Sequence, residues 1–244
     1  MELSYFELGE ACLRRQGEKN IVLIHGWAVD KEKFRPLARD LVKKGWHVLA
    51  VDLPGFGKSF KPEIPLTTDG YKTVISNFVK DKWGNLPYIV FGHSFGGRVA
   101  TALALGDKNV RGLVICSSTV SSPSSLKHFF YKLLGGMLIW FPNIRKWVLS
   151  HYYEMPSGFW NRLILRSIRS GDNYYNLGKL AMPVLILWGG SDKILPPALA
   201  YQTKAQISKS ILKVFKNIGH SLPYHRPAAI AGEIDMWAKT FLKV

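Results

Sequence analysis

Six short apolar runs punctuate the chain: Ile21–Ile24, His47–Val51, Tyr88–Phe91, Val110–Cys116, Val184–Trp188 and Ile211–Phe215. Each is a nearly unbroken series of Val, Ile, Leu or Phe, the pattern of strands covered on both faces. Helical patterns fill the gaps at Lys31–Lys44, Gly70–Lys82, Ser94–Leu105, Pro197–Ala205 and Pro227–Leu242. Asp69 is the expected N-cap of the second of these. The fourth starts on proline, where a missing N–H costs little. This alternation predicts an α/β fold, a mostly parallel sheet flanked by helices. Before it, Ser4–Leu8 and Ala11–Arg14, joined by Gly9 and Glu10, predict a leading antiparallel hairpin.

One stretch interrupts the rhythm. From Ser121 to Leu180 there is no strand pattern; a Ser-Pro-rich opening leads into short helical segments broken at Gly135-Gly136, Pro142 and Pro156-Ser157-Gly158. The expected organisation is a core of residues 1–120 and 181–244 with residues 121–180 inserted as a helical cap. Trp160, Ile164 and Ile168 share one side of a helix whose other side carries Arg162, Arg166 and Arg169. Phe129, Phe130 and Leu133 recur at helical spacing and are expected to pack on the core or line a substrate pocket.

At 244 residues the chain is long enough for one substantial core, burying about 70–75% of its unfolded surface. Its 33 Lys and Arg against 17 Asp and Glu give a net charge of +16, which favours anionic partners but says nothing of fold. No nucleic-acid-binding signature accompanies the charge, so no nucleic-acid partner is expected. Met1-Glu2-Leu3-Ser4 lacks an apolar signal region and Leu133–Phe141 is about half a membrane span, so a cytoplasmic location without a transmembrane segment is expected. Cys12 and Cys116 define neither a disulfide framework nor a zinc site, and Cys116, inside an apolar run, is expected to be a buried thiol.

The chemistry concentrates where the run Tyr88–Phe91 meets Gly92-His93-Ser94-Phe95-Gly96 and a helical pattern. Strand, G-x-S-x-G and helix in succession form a sharp turn that lifts the central serine above the sheet, and glycine is needed two positions to either side because strand and helix pass so closely. Ser94 is therefore the candidate nucleophile. Gly55-Phe56-Gly57-Lys58-Ser59 only superficially resembles a phosphate-binding loop, since Asp52 stands where glycine is required. No metal-ligand cluster is evident and no cofactor is expected.

With Ile24-His25-Gly26-Trp27, Asp52 to Ser59, the serine elbow, Gly189-Gly190-Ser191-Asp192 and Gly219-His220, the chain resembles the α/β-hydrolase family over nearly its whole length. Within that family it looks most like small serine carboxylesterases such as the pimeloyl-carrier-protein methyl ester esterases. The resemblance implies the chain order serine, acid, histidine. His220, after the last strand and before the last helix, is then the base, with His225 the alternative, read as an exposed loop histidine. Asp192 is the orienting acid, its alternative role being a helix-capping turn residue; Asp52 precedes the serine, and its position resembles a structural aspartate that steadies the Pro54-Gly55 turn. The N–H groups of Phe95 and Trp27 are the implied oxyanion donors, and their side chains would wall the acyl site.

These residues imply hydrolysis of carboxylic esters with short-to-medium hydrophobic acyl groups through an acyl-enzyme. Other readings are a carbon–carbon bond hydrolase or lyase of the same fold and a non-catalytic ligand receptor. The arginine face suggests an acidic acyl carrier protein or another anionic surface as a partner.

Overall fold

The computed structural model describes residues 2–9, 19–64, 66–120 and 175–244. The expected second hairpin strand, Cys12 and the cap residues 121–174, with Phe129, Phe130, Leu133, Arg162, Arg166 and Arg169, lie outside the described residues.

Among the described residues the strands are β1 Tyr5–Leu8, β2 Asn20–Ile24, β3 His47–Val51, β4 Tyr88–His93, β5 Val110–Cys116, β6 Val184–Gly189 and β7 Ser210–Phe215. They form one sheet in the order β1-β3-β2-β4-β5-β6-β7. All neighbours are parallel except β1, which runs antiparallel to β3 with Tyr5 opposite Val51. Among the described residues β1 pairs with β3; the hairpin partner expected at Ala11–Arg14 lies outside them. The helices are α1 Arg35–Val42, α2 Thr68–Trp83, α3 Phe95–Gly106, α4 Ala198–Ala205, α5 Leu222–His225 and α6 Pro227–Phe241.

Continuous apolar strands are needed because both faces are covered. Val22, Ile24, Val90, Leu113, Ile115, Val184 and Ile186 look into one core with Tyr71, Ile75 and Val79 of α2 and Val99 and Leu103 of α3. The alternate residues Ile21, Leu23, Ile89, Phe91, Val114, Cys116, Leu185 and Leu187 look into the other, against Leu37 and Leu41 of α1 and Ile230, Ile234 and Trp237 of α6. Edge strand β7 departs from the expected two-sided burial: Ile211 and Leu212 are half-buried and Lys213 is exposed, a charged residue that blunts an unpaired edge.

Three element ends differ from expectation. The N-cap of α2 is Thr67, whose hydroxyl accepts from the Gly70 N–H at 3.1 Å, leaving Asp69 in the first turn. The segment expected as one helix from Lys31 begins as a 3-10 helix, Lys31–Phe34, capped by Asp30, and becomes α-helical only at Arg35. His225 is exposed as expected but closes the short helix α5 rather than lying in a loop.

The crossover from β2 leads to one side of the sheet and β4 begins the other, so the order reverses between β2 and β4. A crevice opens at the carboxyl ends of strands at such a reversal. The loops after β2 and β4 flank it, and those after β6 and β7 overlook it.

Candidate active site

Ser94 sits between β4 and α3 with φ 52° and ψ −119°, a backbone state for a non-glycine residue that costs on the order of 1–3 kcal/mol. The surroundings hold it there. A Cβ on Gly92 would run into the backbone of Gly96 and Gly97, and one on Gly96 into the carbonyl oxygens of Ile24 and His25. The Ser94 N–H donates to the Cys116 carbonyl at 2.9 Å, tying the turn to β5. Because Ser94 precedes the first residue of α3, the helix N-terminus lies beneath its hydroxyl and favours negative charge there.

Two distant loops complete a hydrogen-bonded chain. His220, after β7, reaches Ser94 Oγ through Nε2 at 2.9 Å, across 126 residues of sequence. Its Nδ1 lies 2.8 Å from Asp192 Oδ2. A carboxylate only accepts, so Nδ1 carries the proton and Nε2 is left to accept from the hydroxyl. Asp192, buried after β6, is fixed in turn by the N–H groups of Ile194 and Leu195, which donate to its Oδ1 at 2.9 and 2.8 Å. The same carboxylate thus caps its own turn and meets His220. His225 is not in this chain.

The loop after β2 supplies the opposite wall. His25 is fully buried, and burial holds its imidazole below the ordinary pKa. Its Nδ1 donates to the Gly26 carbonyl at 2.7 Å and its Nε2 accepts from the Leu53 N–H at 3.0 Å. Carbonyl and N–H of a trans peptide point in opposite directions, so anchoring the Gly26 oxygen also fixes where the Trp27 N–H is aimed. Phe95 supplies the first N–H of α3, which has no acceptor within its own helix. The side chains of these two residues pack edge to face, ring centres 5.4 Å apart, with Phe56 on Trp27 and Tyr71 on Phe95. Asp52 supports the loop from behind: wholly buried, it accepts from the Lys31 N–H and ammonium and from the Lys58 N–H at 2.7 to 2.9 Å.

Sequence reasoning missed two members of the site. His93 is buried and lies 2.9 Å from the His220 carbonyl through Nε2 and 3.0 Å from the Tyr224 hydroxyl through Nδ1. The His25 ring also has a positioning geometry that its place in the motif did not reveal. Their partners are 127 and 131 residues away for His93, so no local spacing announces them. The thiol of Cys116 is buried as expected, and burial pushes its pKa well above the ordinary value. Among the described residues no group of metal-ligating side chains is present, and no helix is long and apolar enough to cross a membrane.

A model of the alpha/beta hydrolase family matches residues 21–233. Similar proteins include the AB hydrolase superfamily protein YisY of Bacillus subtilis, 25% identical over 90% of this chain and 91% of that protein. Lipase 1 of Psychrobacter immobilis is 26% identical, covering 82% of this chain and 70% of its own. Among solved structures, an esterase from Thermogutta terrifontis superposes with a TM-score of 0.76 at 20% identity, covering 98% of this chain and 93% of that one.

Proposed function

The chain belongs to the alpha/beta hydrolase family, and from that premise we propose that it is a serine hydrolase of carboxylic esters, with Ser94, His220 and Asp192 as its triad. The observation that carries this reading is the unbroken chain from Ser94 Oγ to His220 at 2.9 Å and from His220 to Asp192 at 2.8 Å, starting on a strained turn. A serine hydroxyl is a poor nucleophile at neutral pH and needs such a base, held by such an acid.

Ser94 Oγ attacks the ester carbonyl carbon as its proton passes to His220 Nε2. The carbonyl π-bond pair moves onto oxygen, and the Phe95 and Trp27 N–H groups receive that charge. Preorganised donors of this kind are worth about 3–4 kcal/mol each. Asp192 stabilises the imidazolium. Collapse of the intermediate breaks the bond to the alkoxy oxygen, which leaves as alcohol with the proton from His220. Water, deprotonated by His220, then releases the acid and restores Ser94. The ester and one water balance the reaction.

The apolar rings of Trp27, Phe56 and Phe95 beside the donors favour hydrophobic acyl groups, of short-to-medium length on this reading. The identity of Lipase 1 supports ester chemistry for this chain. The test is turnover of p-nitrophenyl butyrate by the wild type and by Ser94→Ala and His220→Ala. Either substitution is expected to lower kcat by at least about 10³-fold; full activity in either variant would remove the reading.

A further inference from the structure

Resting on the reading of His220 as general base, we infer that His93 is a positioning residue that ties the base-bearing loop to the nucleophile's own turn, with Tyr224 setting which nitrogen of His93 carries the proton. The His220 side chain is held by Asp192, but a side chain is only as well placed as its backbone. The His220 carbonyl can only accept, so the His93 Nε2 at 2.9 Å must be the donor. That leaves Nδ1 as a lone pair, and the Tyr224 hydroxyl at 3.0 Å donates to it. In the other tautomer two lone pairs would face each other at the His220 carbonyl.

The arrangement is specific in three respects. His93 is the residue immediately before Ser94, so the anchor for the base and the nucleophile share one peptide unit. A single 2.9 Å bond joins that anchor directly to the backbone of the base. The rings are also packed: His93 lies 5.1 Å from the His220 ring centre and 5.0 Å from that of Tyr224, which rests on Phe34 at 5.6 Å. Helix α5, anchored in the core by the buried Leu222, delivers Tyr224 to this point. Finally, His93 is uncharged at working pH: burial, then the neighbouring His220, hold its pKa down to about 3. It therefore serves as a fixed donor and not as a second base.

The experiment compares His93→Gln, His93→Met, Tyr224→Phe and the double variant His93→Met/Tyr224→Phe, measuring kcat and KM on p-nitrophenyl butyrate and thermal unfolding. Gln places an N–H close to the position of Nε2, whereas Met fills the space without a donor. We expect His93→Met to lower kcat about 10- to 100-fold with KM within about twofold, the signature of a misplaced base. His93→Gln recovers most of that loss. Tyr224→Phe lowers kcat severalfold with KM within about twofold, and the double variant is no worse in kcat than His93→Met, because Tyr224 acts through His93.

Equal losses in Gln and Met, or losses that multiply in the double variant, would overturn the inference. Should His93→Met not fold, a wild-type kcat in Tyr224→Phe would overturn it alone. Turnover surviving in Ser94→Ala would instead remove the underlying triad, which makes the two failures distinguishable.

Discussion

His25, His93 and His220 share one crevice in different surroundings. Burial holds the first two below their ordinary pKa, and each spends its ring nitrogens on fixed partners: Gly26 and Leu53 for His25, His220 and Tyr224 for His93. His220 alone faces a hydroxyl on one side and a carboxylate on the other. Gly26 sits where these sets meet, its missing side chain 3.0 Å from His93 Nδ1 and 3.2 Å from Ser94 Cβ. Neither neighbour can retreat, so a methyl there would displace the Gly26 backbone and with it the Trp27 N–H. Gly26→Ala is therefore expected to lower kcat about 10²-fold, the scale of losing one oxyanion donor. Steady-state kinetics with a matched urea unfolding curve checks this; unchanged kcat would show that the loop does not aim a donor.

At the scale of elements, α6 is joined to the start of the sheet by one carboxylate. Asp235 accepts from Lys19 Nζ at 2.6 Å and the buried Trp46 Nε1 at 3.1 Å, and pairs with Lys239 at 2.8 Å. Burial raises its pKa, but the bonds from Lys19, Lys239 and Trp46 outweigh that and bring it down to about 2. A depressed carboxylate stabilises fully above its ordinary value and loses that contribution as pH falls through the folded one. Asp235→Ala is expected to cost about 1–3 kcal/mol at pH 7, since it leaves the indole N–H without an acceptor. Its difference from wild type, read from urea midpoints, should shrink between pH 4 and pH 2; a constant difference would contradict the assignment.

The elements themselves were largely legible, because the central strands are apolar on both faces and the elbow glycines have no alternative at so close a crossing. What was not legible depends on the third dimension. Thr67 displaces Asp69 as cap because only its hydroxyl meets the Gly70 N–H. The pairing of β1 with β3 joins segments about 40 residues apart, and the four-residue α5 is too short to show a period. The contact of Ser94, His220 and Asp192 joins residues that the family resemblance singles out, whereas the bonds from His93 to His220 and Tyr224 leave no trace in spacing.

At the scale of the whole molecule, the sheet order explains why these loops meet at all. The reversal between β2 and β4 opens the crevice beside Ser94, and the ends of β6 and β7 bring Asp192 and His220 over it. Helices on both faces keep that edge in place, so residues drawn from most of the chain act on one hydroxyl. On the proposed function, this convergence makes Ser94 unusually reactive. The most direct test is a fluorophosphonate titration of the intact protein, followed by mass spectrometry of the digested peptides. One phosphonyl group per chain, on Ser94 and absent in His220→Ala, is the expected result. A protein that stays unlabelled, or is labelled at another residue, would contradict it.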